Sequence, residues 1–156
     1  MKLLRTIAGE VGKGLLAGLA GTVAMTIAST IEAKLRRRPP STVPAAAATR
    51  TLGIQPRDAR AKARLSNLVH FAYGTSWGLA RAAIGRLLRA ACVGGRVAAP
   101  ALHLAAVWGT ELLMLPALRL TPPVRKWGAK EIAIDGFHHV VYVAAVDGAY
   151  RAFATR

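Results

Sequence analysis

Ionisable residues lie inside the apolar stretches of this chain, where they are least expected. Three of the seven carboxylates, Glu111, Asp135 and Asp147, and all four histidines occur within apolar segments long enough to form helices. An ionisable side chain in hydrocarbon is costly unless it faces a partner, so such residues mark a site by default. The pattern therefore indicates acid–base or ligating groups in the interior of a membrane protein.

The last apolar segment carries its polar residues on one face. On a helix, five of its side chains fall within an arc of about 100°: Glu131, Asp135, His138, His139 and Tyr142. Ala133, Phe137, Val140, Val141 and Ala144 lie on the opposite side and are predicted to face lipid. The helix therefore has a narrow polar stripe and an apolar back.

Two further residues are predicted to join this stripe. Counting residues from the helix ends places His70 and Glu111 at the depth of Asp135 and His139, about 8–14 Å below one surface at 1.5 Å per residue. We therefore predict one polar layer made of His70, Glu111, Glu131, Asp135, His138, His139 and Tyr142. His70 should approach Glu111, Asp135 or His139. His103 falls near the opposite surface and is interpreted as an interfacial histidine.

The polar layer admits three interpretations. It is a buried network that orients helices, a proton, ion or small-solute path, or a metal site with His70, Asp135 and His139 as candidate ligands. Adjacent His138 and His139 are poorly spaced for two ligands on one helix, and no cofactor is predicted. The sequence contains no phosphate-binding glycine-rich loop and no serine in a nucleophile-elbow context, so it assigns no enzymatic reaction.

Composition places the chain among membrane proteins. It has 156 residues, 53% of them hydrophobic, with 22 Lys and Arg against 7 Asp and Glu. The apolar content excludes a disordered chain, and the long apolar runs are not those of a soluble nucleic-acid-binding protein. The single cysteine, Cys92, excludes an internal disulfide framework. We expect one membrane domain covering 1–156.

Four segments are predicted to cross the membrane, at about 14–33, 65–85, 97–120 and 132–150, as an all-α four-helix bundle. The first is followed by basic residues and not by a cleavage site, so we expect it to be retained. Its small residues Gly14, Gly18 and Thr22 suit close packing within the bundle or, alternatively, contact with a second copy or a partner membrane protein. Gly94-Gly95 is predicted to form the turn between the second and third spans.

The segment 34–64 is a basic loop with nine Lys or Arg and one acid, Asp58. We predict that it binds anionic lipid headgroups, not nucleic acid, through Arg36, Arg37 and Arg38, at about 1 kcal/mol for each basic residue. A short helix is expected at 45–48, and Pro56 is predicted to open the next helix. The balance of Lys and Arg favours a cytoplasmic location for this loop.

Two charges near the other end of the bundle are predicted to find partners. Arg81 must reach the membrane surface or pair with an acid inside the bundle. Asp147 precedes Arg151 by four residues, in the favourable order for a helical ion pair. We therefore interpret Asp147 as part of a helix-end pair outside the polar layer.

The run Leu120-Thr121-Pro122-Pro123-Val124, followed by Glu131, Asp135, His139 and Asp147, resembles the C-terminal half of the YagU-like bacterial inner-membrane proteins. That family has no assigned activity. The resemblance implies a multi-pass protein of the bacterial inner membrane and gives weight to His70, Glu131, Asp135 and His139. Our expectation is a small accessory or structural membrane protein with a polar interior.

Overall fold

The computed structural model describes residues 1–93 and 96–154, apart from the side chains of Lys2, Leu3 and Ala154. The turn predicted at Gly94-Gly95 lies outside the described residues. Across the described ranges the chain is helical and has no strand. The elements are α1 (Lys2–Leu35), α2 (Val43–Leu52), α3 (Ala59–Ala90), α4 (Ala98–Ala117), a short 3₁₀ helix (Val124–Lys126) and α5 (Ala129–Ala154).

The first loop contains a helix longer than predicted. α2 covers the expected 45–48 and ends at Leu52, and Gly53 caps it in the left-handed conformation with φ 69°. The prediction that Pro56 opens α3 was wrong. α3 begins three residues later, because the Asp58 carboxylate accepts a hydrogen bond from the Ala61 amide at 2.8 Å and caps the helix.

The four long helices correspond to the four predicted spans. α1, α3 and α5 extend beyond the predicted segments, whereas α4 is shorter and ends one residue after Pro116. α1 and α4 each pack against α3 and α5, and α2 packs on α3. Ala17, Val107, Tyr142 and Val146 belong to the core between the long helices.

Glycine allows α1 and α3 to come into backbone contact. A Cβ on Gly78 would lie 1.9 Å from the Gly14 carbonyl oxygen, and one on Gly18 would lie 2.2 Å from the Thr75 carbonyl oxygen. Thr22 is fully buried beside Gly74 on the same face. The predicted small-residue stripe is therefore used for helix packing within the chain.

Among the residues that the structure describes, two helices are long and apolar enough to cross a membrane by length and composition. They are Leu4–Leu35, which includes most of α1, and Ala98–Ala117, which is α4. A signal sequence near the N-terminus or a buried core helix of a soluble protein passes the same test. By this criterion α1 and α4 qualify as membrane spans, and the predicted spans in α3 and α5 do not.

Candidate functional site

One buried contact joins α4 to α5. His139 is 2% exposed, and its Nε2 lies 2.8 Å from Oε2 of Glu111. On its other side, Nδ1 lies 2.9 Å from the backbone oxygen of Asp135 and 3.8 Å from the Asp135 carboxylate. Both ring nitrogens therefore face oxygen atoms.

This geometry specifies how the pair carries its protons. The carbonyl oxygen of Asp135 only accepts, so His139 donates from Nδ1. A hydrogen bond between Nε2 and the Glu111 carboxyl oxygen then needs one more proton, carried by either group. The His139–Glu111 pair thus holds a proton that can sit on nitrogen or on oxygen without breaking the contact.

Asp135 is held by a residue that the sequence did not identify. The indole Nε1 of Trp108 donates to Oδ2 of Asp135 at 2.7 Å, and the Trp108 ring stacks on His139 with centroids 6.1 Å apart. Trp108 precedes Glu111 by three residues, so the two share a face of α4. That spacing was the available signal for its role.

His70 lies near Glu111 and His139 but bonds to another residue. Its Nε2 lies 3.0 Å from Oγ1 of Thr26, whose hydroxyl donates to the Thr22 carbonyl oxygen at 2.7 Å. The Thr26 oxygen therefore accepts from His70. His70 lines the same cavity as Glu111, His139 and Tyr142, with a volume of about 60 Å³. That is room for a few water molecules or a small ion in a polar site.

Tyr142, which lines this cavity, contacts a further buried histidine, His103. The Tyr142 hydroxyl donates to the Gly74 carbonyl oxygen at 2.6 Å. His103 is completely buried, its Nε2 lies 3.0 Å from the Trp77 carbonyl oxygen, and its ring lies 5.8 Å from that of Tyr142. The interpretation of His103 as an interfacial residue is thus corrected, because helix packing surrounds it.

Glu131 and His138 do not face this cavity, so the single predicted layer is divided in two. Both line a separate open groove at the end of the bundle where α1 ends and α5 begins. Asp135 lines this groove as well and also contacts His139, so it connects the two regions. Helix angle alone grouped these residues, whereas the neighbours of α5 separate them.

The arginines predicted to bind headgroups are mostly engaged within the chain. Arg36 donates to Glu131 at 2.7 Å and to Glu32 at 3.1 Å, and Arg38 donates from Nε to Glu32 at 2.9 Å. The bond from Arg36 lowers the pKa of Glu131 below its ordinary value of 4.5, and the bond to Glu131 raises the pKa of Arg36. Of the three, Arg37 alone makes no ion pair with the described residues.

A second ionic cluster occupies the other half of the bundle. Arg81 has a side chain only 6% exposed, and its Nη2 lies 2.6 Å from Oδ1 of Asp147. Asp147 also accepts from Arg151 at 2.8 Å, and Arg81 lies over the Tyr150 ring at 4.6 Å from the centroid. The helix-end pair is present, but Asp147 has a second role as the buried partner of Arg81. Tyr150 donates to Glu10 of α1, a contact that the sequence did not predict.

The metal interpretation gains no geometric support. Among residues 1–93 and 96–154, no three His, Cys, Asp or Glu side chains are grouped so that they could hold a metal ion. His70 bonds to Thr26, and Asp135 bonds to Trp108, so the candidate ligands His70, Asp135 and His139 are directed to different partners.

In comparisons with known sequences and structures, no protein-family model, no curated protein and no solved structure matches the chain. The resemblance to YagU-like proteins therefore stays a prediction from the motif at 120–124 and the acids and histidine after it.

Proposed function

We propose that the chain is a small four-span membrane protein with an accessory or structural role, in which the polar interior orients the helices. One observation carries this proposal. Apolar side chains cover the outside of the bundle, while Thr22, Arg81, His103 and His139 are each at most 5% exposed. A water-soluble bundle has the reverse arrangement, because apolar burial is what stabilises it.

The outer face of α1 illustrates this arrangement over its whole length. Exposed apolar residues recur every three or four positions at Leu4, Ile7, Val11, Leu15, Leu19, Val23, Ile27, Ile31 and Leu35. A core helix of a soluble protein is mostly buried, but only 28% of the most apolar window of α1 and 17% of that of α4 are buried. A lipid environment accounts for both values, since it covers these side chains.

α3 and α5 are proposed to cross the membrane too, although their composition is more polar. Their ionisable residues include Arg81, His139 and Asp147, which are buried or nearly so against other helices. Phe137 and Val140 on the outer face of α5 are 58% and 50% exposed. Average hydropathy counts the inner and outer faces equally, so it underestimates how apolar the lipid-facing side is.

Location and partners follow as parts of the same proposal. We place the protein in the bacterial inner membrane, with the 34–64 segment on the cytoplasmic side. Arg37 and the exposed basic residues of α2 and the start of α3 would contact anionic headgroups. The ion pairs of Arg36 and Arg38 make these two residues secondary to Arg37 in headgroup binding.

The structural role rests on where the interior hydrogen bonds lead. Glu111 with His139 joins α4 to α5, Tyr142 joins α5 to α3, and Thr26 with His70 joins α1 to α3. Polar contacts inside membranes average about 0.6 kcal/mol, so their main effect is to select one arrangement of helices. Such a network is sufficient to explain why these residues are inside.

A second candidate, proton, ion or small-solute handling, is favoured by the 60 Å³ cavity lined by His70, Glu111 and His139. Chains of acids and histidines inside membranes form such paths. The shared proton of the His139–Glu111 pair has the chemistry that proton transfer needs.

Flux measurements distinguish these roles. Purified protein in liposomes should give no proton or cation flux above that of empty liposomes, and His139→Gln should leave this result unchanged. Flux that disappears in His139→Gln but persists in the control Phe137→Ala, on the outer face of the same helix, would replace the structural role with the second candidate. Elemental analysis of the same sample tests the metal alternative directly.

A further inference from the structure

Two residues that line the groove at the end of the bundle, His138 and Thr121, each have a buried polar atom without a hydrogen-bond partner. This groove, of about 500 Å³, lies between the end of α1, the 3₁₀ helix and the start of α5. Its volume is within the usual range for ligand sites. His138 is 7% exposed and lines it, and the Nε2 atom of His138 is buried with no hydrogen-bond partner.

Thr121, which lines the same groove, has a second unpartnered atom. Oγ1 of Thr121 is buried and has no hydrogen-bond partner either. Leaving a buried polar atom unsatisfied costs about 1–3 kcal/mol, so two such atoms in one groove need an explanation. A ligand that accepts hydrogen bonds from both supplies it.

The groove also contains a cation that has no partner within the described residues. Lys126 lines it and makes no ion pair with the described residues. The acids are already occupied, since Glu32 and Glu131 accept from arginines and Asp135 accepts from Trp108. An ammonium, a hydroxyl and an imidazole nitrogen are therefore left, and together these groups suit an anion with several acceptor oxygens.

We propose that this groove binds a phosphate group, presented by an anionic lipid headgroup or as free phosphate. Lys126 supplies the charge, and Thr121 and His138 donate hydrogen bonds to the phosphate oxygens. The lipid source rests on the proposed function, because a membrane-embedded bundle places this end at headgroup level. Trp127, which also lines the groove, is a residue type enriched at that level.

The test uses the full chain in neutral detergent and isothermal titration calorimetry. The probes are short-chain phosphatidylglycerol, short-chain phosphatidylcholine and inorganic phosphate. Lys126→Gln should weaken phosphatidylglycerol binding about fivefold, from about 1 kcal/mol per basic residue. Thr121→Val should weaken it by a similar factor, since it removes one neutral hydrogen bond. The matched control is Arg125→Gln, an exposed basic neighbour outside the groove.

Binding that falls in Lys126→Gln and Thr121→Val but changes less than about twofold in Arg125→Gln would support the site. Preference for phosphatidylglycerol over both other probes would assign it to lipid, and equal binding of inorganic phosphate would assign it to free phosphate. No binding of any probe, or equal losses in Arg125→Gln and Lys126→Gln, would overturn the proposal. If the protein proves not to span a membrane, the inorganic phosphate titration still tests the groove by itself.

Discussion

Nε2 of His139 lies 2.8 Å from Oε2 of Glu111, and this contact links α5 to α4 at the wall of the cavity that His70 and Tyr142 also line. His139 is nearly completely buried, whereas the Glu111 side chain is 28% exposed. Without the contact, the buried imidazole nitrogen would have no hydrogen-bond partner, whereas water could still reach the partly exposed Glu111 carboxylate.

Removing either member of this pair should destabilise the fold, and removing both should cost less than the sum. His139→Ala leaves Glu111 partly unsatisfied, and Glu111→Ala leaves a buried imidazole nitrogen without a partner, at about 1–3 kcal/mol. We expect a coupling energy of about 0.5–3 kcal/mol in a double-mutant cycle measured by unfolding in detergent. His139→Ala combined with Arg86→Ala, an exposed site on α3, should be additive within about 0.5 kcal/mol. Additivity for His139 and Glu111 would contradict the contact.

Breaking the Arg81–Asp147 pair should be more costly than breaking surface pairs. Asp147→Leu leaves Arg81 in the interior without an acid, at about 3–5 kcal/mol, whereas Arg81→Met should cost less because Asp147 keeps its contact with Arg151. The double variant should be more stable than Asp147→Leu, because no buried charge without a partner remains. Arg86→Met on the same helix is the control and should change stability by less than about 0.5 kcal/mol. Thermal unfolding of the four variants in one detergent measures this, and a double variant less stable than both singles would refute it.

Alanine at Gly78 should disrupt the contact of α1 with α3. The new Cβ would meet the Gly14 carbonyl oxygen and the Gly18 amide, so the helices must separate, at about 1–3 kcal/mol or more. Gly148→Ala is the matched control, because a Cβ added there on α5 would meet nothing within 4 Å. That change should be neutral or stabilising by up to about 1 kcal/mol, from helix propensity. Equal stabilities for the two variants would show that α1 and α3 are not in backbone contact.

The Arg36–Glu131 link should stabilise the fold at neutral pH and fail in acid. The pKa of Glu131 is lowered in the folded chain, so the folded state favours the ionised carboxylate. Its contribution is fully present above the ordinary value of 4.5 and is lost as the pH falls through the lowered pKa. The difference in melting temperature between wild type and Glu131→Gln should therefore shrink below about pH 4.5. A difference that stays constant from neutral to acid pH would exclude this link.

The sequence was informative about elements and faces because these depend on local periodicity. The four long helices occur where apolar length predicted them, and Phe137 and Val140 are exposed on α5 as its helical angle requires. Arg81 pairs with an interior acid, one of its two predicted outcomes, because a buried cation cannot stay unpaired.

Partner identity was harder to predict because it depends on which helices are neighbours. Helix angle grouped Glu131 and His138 with His139, yet they line the outer groove, because α1 and the 3₁₀ helix lie against the first turns of α5. His70 was expected to approach Glu111, Asp135 or His139, and it lines one cavity with Glu111 and His139, but its hydrogen bond is with Thr26, 44 positions away on α1. No periodicity in one helix contains that information.

Thiol labelling of three loops, from each side of a membrane in turn, is the decisive measurement for a four-span bundle. Native Cys92, which is exposed between α3 and α4, is the first labelling site, and Ser41→Cys and Arg125→Cys in a Cys92→Ser background are the other two. We expect a membrane-impermeant thiol reagent to reach Cys92 from one side only, and the other two cysteines only from the opposite side. Labelling of all three from the same side would contradict a four-span bundle with an apolar exterior and a polar interior.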